Sequence, residues 1–268
     1  MKIQKDDPLN KDLRELLTHA LKEVGHLLHG SIHKIKKIDY KSEANLVTHI
    51  DKAAEKMILR RIKRRFPDHA ILAEESKPHG NSRYKWIIDP LDGTTNFAHT
   101  FPVACVSIAV EKDGEVILGG VFDPFRNESF FAEKNCGAYL NGKRIRASKV
   151  STLKESLLCT GFPYDRRMYA GPYLKIFGGF MVRCHGIRRT GSAAIDICYV
   201  ACGRFDGFWE LKLNPWDTAA ASLICREAGG ELSNFRGKPY SIYDQEALAS
   251  NGLIHQEMLK VLKKHYPM

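Results

Sequence analysis

The segment W-I-I-D-P-L-D-G-T-T-N-F, residues 86–97, constrains the fold more than any other stretch of the chain. It enters as an apolar run, Trp86–Ile88, and ends in two carboxylates, Asp89 and Asp92, separated by Pro90 and Leu91. A second apolar run, Ile71–Ala73, also ends in acids, Glu74 and Glu75. Short apolar runs of this kind read as buried strands. Strands that end in carboxylates bring those acids to one edge of a sheet, where α/β proteins place their sites. The turn itself carries acids, a backbone carbonyl, Gly93 and the hydroxyls of Thr94 and Thr95. Such oxygen-rich turns suit hard divalent cations, and the Gly-Thr-Thr stretch offers N–H and O–H donors to a phosphate. In isolation, D-P-x-D-G is more often a plain turn than a metal site.

The rest of the chain alternates helical and strand patterns. Asp7-Pro8 reads as an N-cap followed by proline, and Leu9, Leu13, Leu16, Leu17, Ala20, Leu21, Val24 and Leu28 recur at helical spacing until Gly30. A second helix starts at Thr48 or His49 and stops before Pro67. Residues 103–122 read as a hairpin turning at Lys112–Gly114, and N-G-K-R at 141–144 as another turn. Beyond a polar stretch at 146–155 come a strand (157–162), helices (173–180 and 192–201), a strand (205–210), a helix (216–228), a strand near Leu248 and a last helix (253–265). This order predicts α/β to α+β layers. The division it suggests is an N-terminal half, 1–145, and a C-terminal half, 146–268, within one compact unit.

The 268 residues carry 44% hydrophobic content, enough for a sizeable core. The polar start M-K-I-Q-K-D-D-P predicts no signal peptide, and no apolar run reaches the ~18 residues of a membrane helix. Seven scattered cysteines without a C-x-x-C pair fit free thiols, hence a cytoplasmic protein. The net charge of +10 includes R-R-I-K-R-R at 60–65. That run reads first as the solvated face of a helix, with nucleic-acid binding the weaker alternative, since no aromatics interleave it.

Five segments in order, V-T-H-I-D (47–51), L-A-E-E-S (72–76), residues 86–97, R-R-T-G-S-A-A (188–194) and P-W-D-T-A-A-A (215–221), with E-A-G-G at 227–230, give the chain a resemblance. It resembles the inositol monophosphatase family of Mg²⁺-dependent, lithium-sensitive phosphatases. The resemblance implies a layered αβαβα sandwich of the sugar-phosphatase type and a homodimer. It implies two Mg²⁺ ions, with a weaker third reached by Glu74. Glu74, Asp89 and the Leu91 carbonyl would hold the first, and Asp89, Asp92 and Asp217 the second. Asp51, Glu74 and Thr94 would serve the attacking water. Leu91, Asp92, Gly93, Thr94, Arg188, Gly191, Ser192, Ala193, Glu210 and Asp217 would line the substrate, with Lys41 on a nearby loop. The one departure is Ala221, where the family has glycine; alanine is the better helix former.

The implied reaction is hydrolysis of a phosphate monoester, with myo-inositol 1-phosphate the first choice. The alternative within the family is a dual inositol monophosphatase and fructose-1,6-bisphosphatase. A reading of another class is an RNA- or protein-binding partner whose catalysis is secondary.

Overall fold

The computed structural model describes residues 8–34, 38–42 and 45–266. Helix α1 (Pro8–Ser31) buries Leu13, Leu17, Ala20, Leu21, Val24 and Leu28 along one stripe, as its 3.6-residue period requires. Asp7, its expected cap, lies outside the described residues. Strands β1 (Ile38–Ser42) and β2 (Asn45–Thr48) pair antiparallel and lead into α2 (His49–Arg65). Thr48 caps α2: its hydroxyl accepts from Ile50 N–H at 3.1 Å, while its own N–H donates to Asp51 at 2.9 Å.

Next come β3 (Ala70–Ala73), β4 (Tyr84–Asp92), the short α3 (Thr94–Ala98), β5 (Cys105–Lys112), β6 (Glu115–Asp123), β7 (Glu128–Glu133), β8 (Gly137–Leu140) and β9 (Lys143–Arg144). They form a seven-stranded sheet in the order β3-β4-β5-β6-β7-β8-β9, with only β3–β4 parallel among the flanking pairs of β4. The expected hairpins are present: β5 pairs with β6, and Asn141-Gly142 turns β8 into β9 with both φ values positive, at 50° and 76°. The second half supplies β10 (Leu157–Thr160), α4 (Arg166–Met181), β11 (Gly186–Arg188), α5 (Ala193–Ala201), β12 (Gly207–Leu211), α6 (Pro215–Glu227), β13 (Glu231–Ser233), β14 (Glu246–Ser250) and α7 (His255–His265). Its five-stranded sheet runs β11-β10-β12-β14-β13.

Alternation along the strands decides the layers. In β4, Trp86 and Ile88 join α1 and α2 in one apolar cluster, whereas Ile87 faces the opposite side with Cys105 and Ala109 of β5. In β12 and β14, Phe208, Ala247 and Ala249 face that same middle cluster, while Trp209 and Leu248 pack with α4 and α7. Helices α5 and α6 fill the space between the two sheets. The result is helix pair, sheet, helix pair, sheet, helix pair, the expected αβαβα sandwich. Close approach of the middle layer is set by small residues. A Cβ on Gly119 of β6 would lie 2.7 Å from the Ala220 carbonyl of α6. Ala221 is buried without interrupting α6.

Candidate active site

Two acids three residues apart on a regular strand point to opposite faces. Here they do not. Asp89 pairs with Ser107 and Asp92 with Cys105, so three residues of β4 span two of β5. That extra residue is a β-bulge, and Pro90, which has no N–H to lose from the ladder, sits in it. The bulge turns Asp89 and Asp92 to one face, the same face as Ile87, toward α5 and α6.

The neighbours bring the other acids. Because β3 lies parallel to β4, Glu74 follows it out of the sheet beside Asp89, its N–H donating to the Ile88 carbonyl at 3.2 Å. Asp217 stands in the first turn of α6, behind Pro215, and accepts from Asn214 N–H at 2.6 Å. Asp92 meets the start of α5, accepting from Ser192 Oγ at 2.7 Å and Ala194 N–H at 2.8 Å. Glu74, Asp89, Leu91, Asp92 and Asp217 thus line one cleft of about 390 Å³, a size ordinary for small-molecule sites.

Burial and mutual repulsion act together on these groups. Burial pushes Asp89 well above the usual carboxylate range, and the charges of Glu74, Asp92 and Asp217 push it further. Asp217 rises for the same reasons, burial first, then Asp92 and Glu74. Asp92 rises to about 6, held from going higher by its hydrogen bonds from Ser192 and Ala194. Among the described residues no three acid, imidazole or thiol groups are already drawn into a closed cage. The acids instead line an open wall, with the Leu91 carbonyl among them. An all-oxygen, multiply acidic wall open on one side fits Mg²⁺, which takes a few protein oxygens and keeps several waters.

Beside the acids, the Thr94 hydroxyl joins two buried oxygens. Thr94 Oγ1 is 3.0 Å from Asp51 Oδ1 and 3.0 Å from the Leu91 carbonyl. Asp51 is buried, and its other oxygen accepts from Thr48 N–H and Thr48 Oγ1. Burial raises the Asp51 pKa, against the pull of these hydrogen bonds. Gly93, between β4 and α3, has φ +95°, and a Cβ there would lie 2.8 Å from the Val103 carbonyl. Only glycine fits this turn without strain.

Gly191, Ser192, Ala193 and Glu210 line the same cleft. Glu210, on β12, rises to about 8, mainly through burial. Its carboxylate fills the space above Gly161, where a Cβ would stand 2.0 Å from Oε1.

Arg188 does not line the cleft, contrary to its expected place. It is exposed on β11, with Nη1 turned to the carbonyl of its own neighbour Ile187. Arg189 lines the cleft in its stead, because successive residues leaving a strand project to opposite sides. The three-residue strand β11 was too short to be seen in the sequence, so the two arginines were indistinguishable there. Glu75 lines a separate groove along α2, and its N–H donates to the buried Glu55 at 2.8 Å. Phe97 is buried, but Phe101 is 52% exposed and lines the cleft. Trp216 packs against the middle core. Lys41 lies on β1, where side chains fall outside the described atoms. The sequence reading also missed Asn96, whose amide donates to the carbonyls of Val103 and Thr190, both at 2.8 Å. That amide ties the acid-bearing turn to the 188–192 loop.

A five-layered sandwich opening on an acid-lined cleft defines the sugar-phosphatase class of fold. Comparison with known proteins narrows the class. The family model of the inositol monophosphatase family matches residues 9–266. An inositol-1-monophosphatase of Synechocystis is 46% identical over 251 residues, covering 92% of this chain and 88% of that protein. Nus factor SuhB of Salmonella typhimurium is 45% identical over 221 residues, 82% of this chain and 83% of its own. The crystal structure of extragenic suppressor protein suhB from Bartonella henselae superposes with a TM-score of 0.90 at 36% identity, covering 94% of this chain and 99% of that one. The chain belongs to the inositol monophosphatase family.

Proposed function

We propose that the protein is a Mg²⁺-dependent phosphate monoesterase acting on myo-inositol 1-phosphate. The observation that carries this reading is the bulge that turns Asp89 and Asp92 to one face, into a cleft shared with Glu74 and Asp217. Glu74, Asp89 and the Leu91 carbonyl would hold one ion, and Asp89, Asp92 and Asp217 another, with Glu74 reaching a weaker third. Bound there, Mg²⁺ would supply an acidified water and a counter-charge for the leaving oxygen.

The chain's own groups manage the proton. When the Thr94 hydroxyl donates to Asp51, its lone pairs are free to accept a proton from the attacking water. As it does so, the hydroxyl's own proton passes along the 3.0 Å contact to Asp51, and Thr94 stays neutral throughout. Burial makes Asp51 a better base than a solvated aspartate. The amides of Gly93 and Thr94 would hold the phosphate. Gly191, Ser192, Ala193 and Glu210 would meet the polyol, whose hydroxyls suit a carboxyl partner.

The test is phosphate release by the pure protein from inositol 1-phosphate, with and without Mg²⁺, beside Asp92→Asn. Mg²⁺-dependent turnover lost in Asp92→Asn supports the reading; metal-independent turnover refutes it. Lithium inhibition and a homodimer, which the family resemblance implies, and a cytoplasmic location, which the free thiols suggest, are further parts of the proposal.

A second reading rests on α2. Lys52, Lys56, Arg60, Lys63 and Arg64 are largely exposed and make no ion pair among the described residues, whereas Arg61 and Arg65 pair with Glu23 and Asp12. With relatives named as Nus factors, this basic face supports a role in a nucleic-acid assembly. Binding to RNA that weakens steeply with salt would support it; no binding at low salt ends it.

A further inference from the structure

Glu74 and Glu75 are adjacent, half-buried acids that leave the end of β3 together. Only Glu74 lines the acid cleft; Glu75 lines the groove beside α2. The segment that carries them is tied down from three sides. At its base, Ile71 and His79 exchange backbone hydrogen bonds of 2.8 and 2.9 Å. On the sheet side, the Glu74 N–H donates to the Ile88 carbonyl at 3.2 Å. On the helix side, the Glu75 N–H donates to Glu55 Oε2 at 2.8 Å. Ser76, Lys77 and Pro78, which follow, are exposed, so burial does little to hold the loop.

Glu55 is the unusual member of this set. It is only 4% exposed, although it belongs to a strongly basic helix. Lys52, Lys56, Arg60 and Lys63 line the groove around it, yet none pairs with it among the described residues. A buried carboxylate is costly unless its oxygens are satisfied. Among the described residues its one hydrogen bond is the one from Glu75 N–H, and a carboxylate accepting from a backbone N–H makes the stronger, charge-assisted kind of bond. That bond fixes the plane of the 74–75 peptide, and with it the rotation at Glu74 that aims the Glu74 side chain. Glu55 also stands one helical turn beyond Asp51, so both carboxylates leave the same face of α2. Asp51 reaches the Thr94 hydroxyl at 3.0 Å, and Glu55 reaches the backbone behind Glu74. One face of α2 therefore touches two walls of the cleft.

We infer that Glu55 is a positioning residue: through the Glu75 backbone it turns Glu74, and not Glu75, into the cleft, and so sets the affinity of the site for Mg²⁺. This rests on the Mg²⁺-dependent reading above, in which Glu74 is a metal ligand.

The experiment is calorimetric titration of Mg²⁺ into the pure protein without substrate, for the wild type, Glu55→Gln and Glu55→Met. It is joined by kcat for inositol 1-phosphate at saturating Mg²⁺. Glutamine keeps an oxygen for the Glu75 N–H and loses the charge; methionine keeps the volume and loses the acceptor, with Glu55→Ala in its place if it does not fold. The expected result is a Kd for Mg²⁺ roughly 10–100-fold larger in Glu55→Met, close to the wild type in Glu55→Gln, with kcat restored once Mg²⁺ is saturating. An unchanged Kd in Glu55→Met overturns the inference, even where the melting midpoint falls, because the role is then only structural. Equal weakening in Glu55→Gln and Glu55→Met also overturns it, since lost charge would then be the cause. A wild type that binds no Mg²⁺ refutes the metal-dependent reading itself, and this inference with it.

Discussion

His255 opens α7 and is fully buried, its Nδ1 2.9 Å from Ser250 Oγ and its Nε2 2.9 Å from Ser233 Oγ. Burial lowers its pKa to about 4, from 6.5 in an unfolded chain. The folded state thus refuses a proton that the unfolded state accepts. By linkage, stability is intact above pH 6.5 and is lost as pH falls through 6.5 toward 4. A difference of about 2.5 units corresponds to about 3 kcal/mol at the acid end. Half-exposed Glu231, 3.7 Å from Nε2, recovers part of that, so roughly 2–3 kcal/mol is expected. At ~2.1 cal/mol/K per residue, a chain of 268 residues has an unfolding entropy near 0.56 kcal/mol/K. The midpoint should therefore fall by roughly 5 °C more in the wild type than in His255→Gln between pH 7 and pH 4. Melting followed by circular dichroism, as a difference between the two proteins, cancels the buried acids, whose raised pKa values act in the opposite direction. Parallel curves for the two proteins across this range would refute the argument.

Three other outcomes bear on the site. Asp51→Asn should lower kcat by roughly 10²–10⁴ with little change in KM or melting midpoint; a loss confined to KM would remove Asp51 from the proton relay. Gly161→Ala must displace the Glu210 carboxyl, so overpacking of about 1–3 kcal/mol and a raised KM are expected, and an unaltered denaturation midpoint with normal KM would contradict the close contact. Adding Mg²⁺ at about 100 times its Kd should stabilise the fold by about 2.7 kcal/mol. That gain should shrink below pH 6, where Asp92, raised to about 6, takes up a proton in competition with the ion. Equal stabilisation at pH 5 and pH 7.5 would argue against metal binding by these acids.

Local physics made much of the frame legible in the chain. Thr48 before an apolar-periodic run, with Pro67 beyond it, delimits α2 without reference to anything distant. Lys112–Gly114 and Asn141-Gly142 specify their turns because few residues tolerate the backbone they need. The order of strands and helices was sufficient to indicate layers. The candidate acids were legible one segment at a time, since each closes an apolar strand or opens a helix.

Their meeting was not. Asp89 and Asp92 share a face only because β4 slips by one residue against β5, and that register depends on a partner strand thirteen or more residues away. Glu74 stands beside Asp89 because β3 pairs parallel to β4, and Asp217 arrives on a helix from the other half of the chain. Arg188 and Arg189 are alike in sequence and both exposed, yet at the end of a three-residue edge strand only Arg189 lines the cleft. Sequence determined the local elements, whose caps, turns and periodicities are satisfied within a few residues. Tertiary structure alone decided which side chains converge, because strand register and layer packing are settled by contacts between segments far apart in the chain.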